Sequence, residues 1–139
     1  MKYLHTMVRV SNLENSLHFY CDLLGLKEIR RKEVPKGQFT LVFLAAPNDA
    51  HAQLELTYNW GEQGYEGGRN FGHLAYSVDH IYDMCTRLLE GGVVLNRPPR
   101  DGRMAFVRSP DGISIELLQS GDPLDIKSPW AEMKNHGIW

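Results

Sequence analysis

Hydrophobic and polar residues alternate along the first ten positions of the chain. Leucine, threonine and two valines fill the even positions from 4 to 10, whereas His5, Met7 and Arg9 fall on the opposite face, which predicts a half-buried strand over 3–10. Apolar residues then recur at helical spacing from Leu13 to Leu24, between the N-cap residue Asn12 and the helix stop Gly25. The segments 26–34, 39–46 and 53–58, separated by Pro-containing turns at 35–37 and 47–49, are expected to form three more strands. The first half therefore follows the order βαβββ.

The second half repeats this order. A strand is expected at 72–78, a helix at 81–90 that Gly91 and Gly92 end, and short strands at 93–96, 103–108 and 113–119. An offset of 68 residues places His5 on His73, and an offset of 61 places Glu55 on Glu116. We therefore predict an α+β fold of two βαβββ modules, 1–62 and 69–120, whose curved mixed sheets enclose a cleft within one domain, 1–120. The remaining segment, 121–139, is expected to form a surface arm with a short helix at 129–134.

Composition and charge exclude several classes of protein. The 139 residues are 42% hydrophobic and 23% charged, with a net charge of −2 and no basic run, so we expect one folded domain that binds no nucleic acid. The longest apolar stretch, 41–46, is far below the roughly 20 residues of a membrane span. The N-terminus enters the first strand without a signal segment, and the two cysteines, Cys21 and Cys85, lie in helical patterns without metal-ligand spacing. These features predict a cytoplasmic protein with reduced, buried thiols.

Two histidines and two glutamates are the candidates for chemistry. Glu55 and Glu116 each lie between two apolar residues of a strand, so their carboxylates should face away from the core and toward the predicted cleft. His5 and His73 occupy matching places in the first strand of each module. Two imidazoles and two carboxylates form a mixed ligand set suited to a divalent transition metal. The remaining histidines do not join this pattern and are expected to be solvated: His18, His51, His80 and His136.

Four segments around these residues resemble the motifs of the glyoxalase I (lactoylglutathione lyase) family, which belongs to the vicinal oxygen chelate superfamily. They follow the family's order between residues 5 and 117, and they read His5-Thr6-Met7-Val8-Arg9-Val10, Leu54-Glu55-Leu56-Thr57-Tyr58-Asn59-Trp60-Gly61, Phe71-Gly72-His73 and Ser109-Pro110-Asp111-Gly112-Ile113-Ser114-Ile115-Glu116-Leu117. The resemblance implies that His5, Glu55, His73 and Glu116 bind one divalent metal per site. It also implies the lyase activity of the family, in which the hemithioacetal of methylglyoxal and the co-substrate glutathione becomes S-D-lactoylglutathione.

The same resemblance implies further roles. Glu116 matches the general base, and Glu55 would remain a ligand and assist proton return. Arg9, Asn59 and Arg69 match positions that bind the glutathione carboxylates. The loop 98–103 is shorter than the thiol-binding loop of many bacterial members, so that Arg100 or Arg103 would have to substitute for it.

The resemblance also concerns the metal and the assembly. The compact length and the histidine at position 5 are similar to the nickel-preferring class, with Zn²⁺ or Co²⁺ as alternatives. Relatives of this length are homodimers, and by that resemblance His5 and Glu55 of one chain meet His73 and Glu116 of the other.

Two other functions remain open at this point. Another vicinal oxygen chelate enzyme, such as an acyl-CoA epimerase or an extradiol dioxygenase, could use the same fold. A dioxygenase, however, needs only two histidines and one carboxylate for Fe(II), one ligand fewer than this chain offers. A non-catalytic antibiotic-binding protein of this fold would have no need for the paired glutamates.

Overall fold

The computed structural model describes residues 1–139, which form two compact units, Met1–Gly67 and Gly68–Trp139. Each unit holds one βαβββ set and one four-stranded sheet, and the second also holds residues 121–139. The α+β class with two mixed sheets, predicted from the repeated pattern, is confirmed. None of the helices has the length and apolar character required to span a bilayer.

The first unit contains four strands, β1 (His5–Arg9), β2 (Lys27–Val34), β3 (Phe39–Ala46) and β4 (Asp49–Asn59). They lie in the order β1-β4-β3-β2, with β1 parallel to β4 and the other pairs antiparallel. Between β1 and β2 run the helix α1 (Leu13–Leu17) and a π-helical segment, His18–Leu23. A 3₁₀ turn, Pro35–Gly37, joins β2 to β3.

The second unit repeats this topology. Its strands are β5 (His73–Val78), β6 (Leu95–Arg97), β7 (Met104–Arg108) and β8 (Ser114–Gln119), in the order β5-β8-β7-β6. The pair β5 and β8 is parallel, and the others are antiparallel. The helix α2 (Ile81–Glu90) follows β5, and a 3₁₀ turn, Trp130–Glu132, lies near the C-terminus.

The helix α2 packs its apolar stripe toward the sheet of the second unit. In α2, Ile81, Cys85 and Leu88 are all fully buried, because their spacing places them on one face. Gln119 of β8 fixes the start of this helix, since its Oε1 accepts a hydrogen bond from the backbone N–H of Ile81 at 2.8 Å. Burying such apolar side chains contributes roughly 1.5–3 kcal/mol each. The helix α2 thereby lies against one face of its sheet.

Several element boundaries differ from the sequence prediction. The helix predicted for 13–24 is an α-helix only to Leu17 and then becomes π-helical, a change that buries Phe19, Tyr20 and Leu23. Asp49, predicted in a turn, already begins β4. The strand predicted at 93–96 lies at Leu95–Arg97, and the helix predicted at 129–134 is a single 3₁₀ turn. The shifted starts of β4 and of the strand at Leu95–Arg97 fall at element ends, where local pattern is least decisive.

The C-terminal arm, residues 121–139, follows the surface of the second unit. The ring of its buried Trp130 stacks on Tyr82 of α2 at 5.5 Å, and the backbone N–H of Leu124 donates to Gly102 O at 3.0 Å. A Cβ at Gly102 would lie 2.0 Å from Leu124 O, so only glycine permits this approach. These contacts join the arm to α2 and to the segment before β7.

Candidate metal centre

The first candidate ligand pair joins β1 to β4. Parallel pairing sets Met7 beside Glu55. His5 lies two residues before Met7, on the same face of β1, and its side chain reaches the Glu55 carboxylate. His5 Nε2 lies 2.8 Å from Glu55 Oε2, and the two side chains are 33% and 11% exposed. Thr57 Oγ1 donates to the other carboxylate oxygen at 3.2 Å. The pair thus joins the first residue of β1 to the buried middle of β4.

The second pair repeats this arrangement between β5 and β8. Ala75 pairs with Glu116 in register, and His73 Nε2 lies 3.0 Å from Glu116 Oε2, with side-chain exposures of 43% and 16%. Ile115 and Leu117 are fully buried on the opposite face. The expectation that the glutamates face away from their apolar neighbours therefore agrees with the structure for this pair.

The same holds for Glu55, whose neighbours Leu54 and Leu56 are 2% and 0% exposed. Strand alternation alone produced this expectation, because the period of two forces neighbours to opposite faces.

One aromatic residue in each unit also contacts the ligand pair, and sequence reasoning missed both. Phe43 of β3 meets the His5 ring edge-on at 5.5 Å, and Phe106 of β7 meets the His73 ring in the same way at 5.4 Å. Both phenylalanines are buried. The available signal was the repeat itself, since Phe43 and Phe106 occupy the third strand of each module. They fix the imidazole orientation by edge-to-face packing.

The donor set fits a divalent transition metal. Each unit presents an imidazole nitrogen and a carboxylate oxygen close together, the ligand types that Zn²⁺ and its neighbours accept. Beside His73, Ser114 Oγ is buried without a hydrogen-bond partner. Within a single chain, no group of three or more His, Cys, Asp or Glu side chains is placed to hold a metal ion. Each unit thus brings two of the four predicted ligands together, His5 with Glu55 and His73 with Glu116.

The residues predicted to bind substrate lie in different settings. Arg9 is exposed on β1, and it shares a face with His5 by alternation. Asn59 ends β4, and its Nδ2 donates to the Tyr65 hydroxyl at 3.1 Å. Arg69, in the segment before β5, is exposed. These three side chains belong to segments that adjoin the ligand pairs in the chain.

The two arginines of the short loop differ from each other. Arg100 Nη1 donates to Met133 O at 3.0 Å and to Asn135 Oδ1 at 2.7 Å, so the arm already engages its guanidinium. Arg103 is exposed immediately before β7.

The other four histidines are exposed or have partners of their own. His18 lies 2.9 Å from Asp22 one helical turn later, and His51 and His136 are exposed. His80 is half-buried, and its ring Nδ1 caps α2 by accepting from the backbone N–H of Asp83 at 3.3 Å. The expectation that it is merely solvated misses this capping role, because histidine is not among the preferred cap residues.

Both thiols are free. Cys85 is buried, and burial raises the pKa of its thiol to about 12. Cys21 is half-buried rather than buried, and its pKa is raised by burial first and by Asp22 and Glu28 next. Neither thiol has the lowered pKa of a nucleophile or metal ligand.

Comparison with known proteins identifies the family of the chain. A model of the Glyoxalase/Bleomycin resistance protein/Dioxygenase superfamily matches residues 2–117. A probable lactoylglutathione lyase of Synechocystis is 44% identical over 128 residues, covering 88% of this chain and 98% of the relative. The lactoylglutathione lyase of Neisseria meningitidis is 45% identical over 130 residues, covering 88% and 94%.

Among solved structures, the trypanothione-dependent glyoxalase I of Leishmania major superposes with a TM-score of 0.80 and 39% identity, covering 86% of each chain. The resemblance stated from the four sequence motifs is therefore confirmed. This chain belongs to the Glyoxalase/Bleomycin resistance protein/Dioxygenase superfamily.

Proposed function

We propose that the protein is a glyoxalase I, a lyase that converts the hemithioacetal of methylglyoxal and a thiol into the S-D-lactoyl thioester and so detoxifies methylglyoxal. The observation that carries the proposal is the repeated pair of a histidine and a glutamate, 2.8 Å apart in the first unit and 3.0 Å in the second. Identities of 44% and 45% to proteins named as lactoylglutathione lyases support it.

His5, Glu55, His73 and Glu116 would hold one divalent metal per site. When bound, the metal supplies Lewis-acid stabilisation of the charge that develops on the substrate oxygens. We favour nickel, because the compact length and the histidine at position 5 resemble the nickel-preferring class. Zn²⁺ and Co²⁺ are the alternatives, since all three metals accept imidazole and carboxylate ligands. Ring packing by Phe43 and Phe106 would keep the two imidazoles oriented for this task.

Glu116 would move the proton. The substrate carbon that carries the sulfur and hydroxyl loses its proton to the Glu116 carboxylate, and the neighbouring carbonyl carbon receives one, so the net change is an isomerisation. Both glutamates lie beside a buried phenylalanine, Glu55 beside Phe43 and Glu116 beside Phe106, and such an apolar neighbour limits exchange of a transferred proton with water. Glu55 would remain a ligand and assist the return of the proton.

Complete sites would form in a homodimer. Each unit contributes only two of the four ligands, whereas metals of this type are usually held by three or four protein ligands. We therefore infer that His5 and Glu55 of one chain combine with His73 and Glu116 of the partner subunit. A two-fold dimer would then contain two equivalent sites.

The thiol would be bound by cationic and amide side chains. Arg9 and Arg69, both exposed, are suited to fork-like recognition of the glutathione carboxylates, with Asn59 as an amide donor. On the short loop, Arg103 is the stronger candidate, since Arg100 is hydrogen-bonded to the arm. Free cysteines and a glutathione co-substrate both favour a cytoplasmic location.

Thioester formation tests the proposed activity. Metal-free protein is loaded separately with Ni²⁺, Co²⁺, Mn²⁺ or Zn²⁺, and methylglyoxal is added with glutathione or with trypanothione, the thiol named for the Leishmania relative. We expect thioester absorbance to rise with at least one metal, and most strongly with Ni²⁺ and glutathione. If no combination yields thioester while each metal is bound, the protein is not a glyoxalase I.

A further inference from the structure

The two sheets carry the same row of side chains across their strands. In the first unit, Arg30 pairs with Phe43, which pairs with Glu55. In the second, Arg97 pairs with Phe106, which pairs with Glu116. Cross-strand partners point to the same face of a sheet. Each ligand pair is therefore followed, along its row, by a phenylalanine and then an arginine.

The two rows differ in what covers the phenylalanine. In the first unit, the Arg30 guanidinium carbon lies 3.4 Å from the centre of the Phe43 ring, a cation–π contact. In the second unit, Arg97 is turned away, because its Nη2 binds Asp101 Oδ2 at 2.9 Å and its Nη1 donates to Met104 O. The indole of Trp139 takes this place, with its ring centre 6.0 Å from that of Phe106.

Trp139 reaches this position because the arm is fastened along its length. The backbone N–H of His136 donates to Asn96 O, and Asn96 Nδ2 donates to His136 O, both at 2.9 Å. One residue before the end, Ile138 O accepts from Arg108 Nε at 3.0 Å. Arg108 and Phe106 alternate on the same face of β7. The last two residues of the chain therefore lie on the face that carries His73 and Glu116.

The arm is an addition to what the family model describes, since that match ends at residue 117. Its terminal indole remains 40% exposed, whereas Phe106 is 7% exposed. Trp139 and Phe106 thus form an aromatic surface on the face of the sheet that carries Glu116, whereas a guanidinium covers the equivalent ring beside His5 and Glu55.

We propose that Trp139 is a specificity-determining residue that contacts the carbon side chain of the 2-oxoaldehyde and favours aromatic over methyl substituents. The inference rests on the proposed function, because it concerns the substrate of that same site. When the apolar substituent of the aldehyde packs against the indole of Trp139 and the edge of Phe106, its desolvation costs little free energy. If the same substituent packed beside Phe43 instead, it would have to displace solvent from the Arg30 cation. The arm thereby orients the substrate as well as selecting it.

Substitution of Trp139 tests this selection. The selectivity ratio compares kcat/KM for the phenylglyoxal and methylglyoxal hemithioacetals, measured with the metal-loaded enzyme. We expect Trp139→Ala to lower kcat/KM about tenfold for the phenylglyoxal adduct and only two- to threefold for the methylglyoxal adduct, as for loss of one aromatic contact. Trp139→Phe should retain most of the wild-type selectivity ratio.

A binding measurement gives a second readout that does not depend on turnover. Calorimetry would compare the S-benzyl and S-methyl thioethers of glutathione, whose substituents stand in for the aldehyde carbon chain. Trp139→Ala should weaken binding of the S-benzyl thioether about tenfold and leave the S-methyl thioether nearly unchanged. Ile138→Ala is the matched control, because this neighbouring apolar side chain is 80% exposed, and it should alter neither ratio.

The outcomes separate the two proposals. If the wild type forms no thioester with any metal or thiol, the proposed function fails. If the wild type is active but Trp139→Ala lowers kcat/KM equally for both adducts, or leaves the ratio unchanged, Trp139 is not a specificity residue. A loss of ratio in Ile138→Ala as large as that in Trp139→Ala would overturn the proposal as well.

Discussion

Mixed dimers provide the sharpest test of how the two ligand pairs combine. His5→Ala removes one ligand from the first pair, and His73→Ala removes one from the second, while the distances of 2.8 and 3.0 Å within the pairs show that each mutation disrupts its own pair. Each variant alone should be nearly inactive, because every site in its homodimer lacks one histidine. In a mixed dimer, one site lacks both histidines and the other retains all four ligands.

The expected recovery follows from counting these sites. When equal amounts of two variants exchange at random, about half of the dimers are mixed, and one of the two sites in each mixed dimer is complete. About a quarter of wild-type activity should therefore return if the sites act independently. The metal content should also exceed that of the unmixed variants, because about a quarter of the sites again hold all four ligands.

The pairs themselves supply the matched control. His5→Ala mixed with Glu55→Ala damages the first pair in both chains, so no site in any dimer is complete and no activity should return. Thioester formation and metal content by mass spectrometry are measured after native mass spectrometry confirms subunit exchange. If exchange is complete and the first mixture stays inactive, or if the control mixture recovers equally, the shared-site proposal is refuted.

Four further outcomes are expected. Glu116→Gln should retain metal but lose roughly 10²-fold or more in turnover, since an amide cannot accept the proton; near-normal turnover would exclude Glu116 as the base. Arg9→Ala and Arg69→Ala should raise KM more than they lower kcat, and steady-state kinetics showing only a kcat effect would contradict thiol anchoring. Cys85 should resist a thiol reagent at pH 8 until the protein unfolds, because burial raises its pKa to about 12; rapid labelling of the native protein would contradict this. Asp101→Asn should cost about 1 kcal/mol of unfolding free energy at pH 7, by denaturant titration.

The magnitude for Asp101 follows from its contacts. Burial tends to raise the pKa of this carboxyl, but the hydrogen bond from Arg97 and those from the backbone N–H groups of Arg103 and Met104 outweigh it and bring the pKa to about 2. The fall in the pKa of Asp101 from 3.8 to about 2 corresponds to about 2.4 kcal/mol of unfolding free energy. Because the side chain is 44% exposed, solvent screening reduces this contribution to about 1 kcal/mol. The stabilisation is present above about pH 4 and is lost as the pH falls toward 2. A variant whose stability still falls over that range as in the wild type would contradict this assignment.

The repeat made most of the fold predictable. Strand β3 and helix α2 occur at the predicted limits, Phe39–Ala46 and Ile81–Glu90. In both cases the hydrophobic pattern is long and is bounded by clear turn or stop residues. The orientation of Glu55 and Glu116 was predictable for the same reason, since buried neighbours on both sides fix the face of a strand residue.

Tertiary contacts decide the features that the sequence did not reveal. Nothing in the local pattern distinguishes the π-helical segment His18–Leu23 from α-helix, because the change depends on how the helix packs. The course of the arm depends on single distant partners, such as Arg108 for Ile138 and Tyr82 for Trp130. Such contacts join residues far apart in the chain and leave no periodic signal.

The repeat also explains how two equivalent glutamates could acquire different tasks. The offset that places Glu55 on Glu116 places Thr57 on Leu118. Thr57 donates its hydroxyl to the Glu55 carboxylate at 3.2 Å, whereas a leucine can donate nothing to Glu116. A carboxylate held by such a donor is fixed in orientation, which suits a permanent ligand. A carboxylate without that donor is freer to turn toward a substrate carbon and take its proton, which supports the assignment of Glu116 as base and Glu55 as ligand.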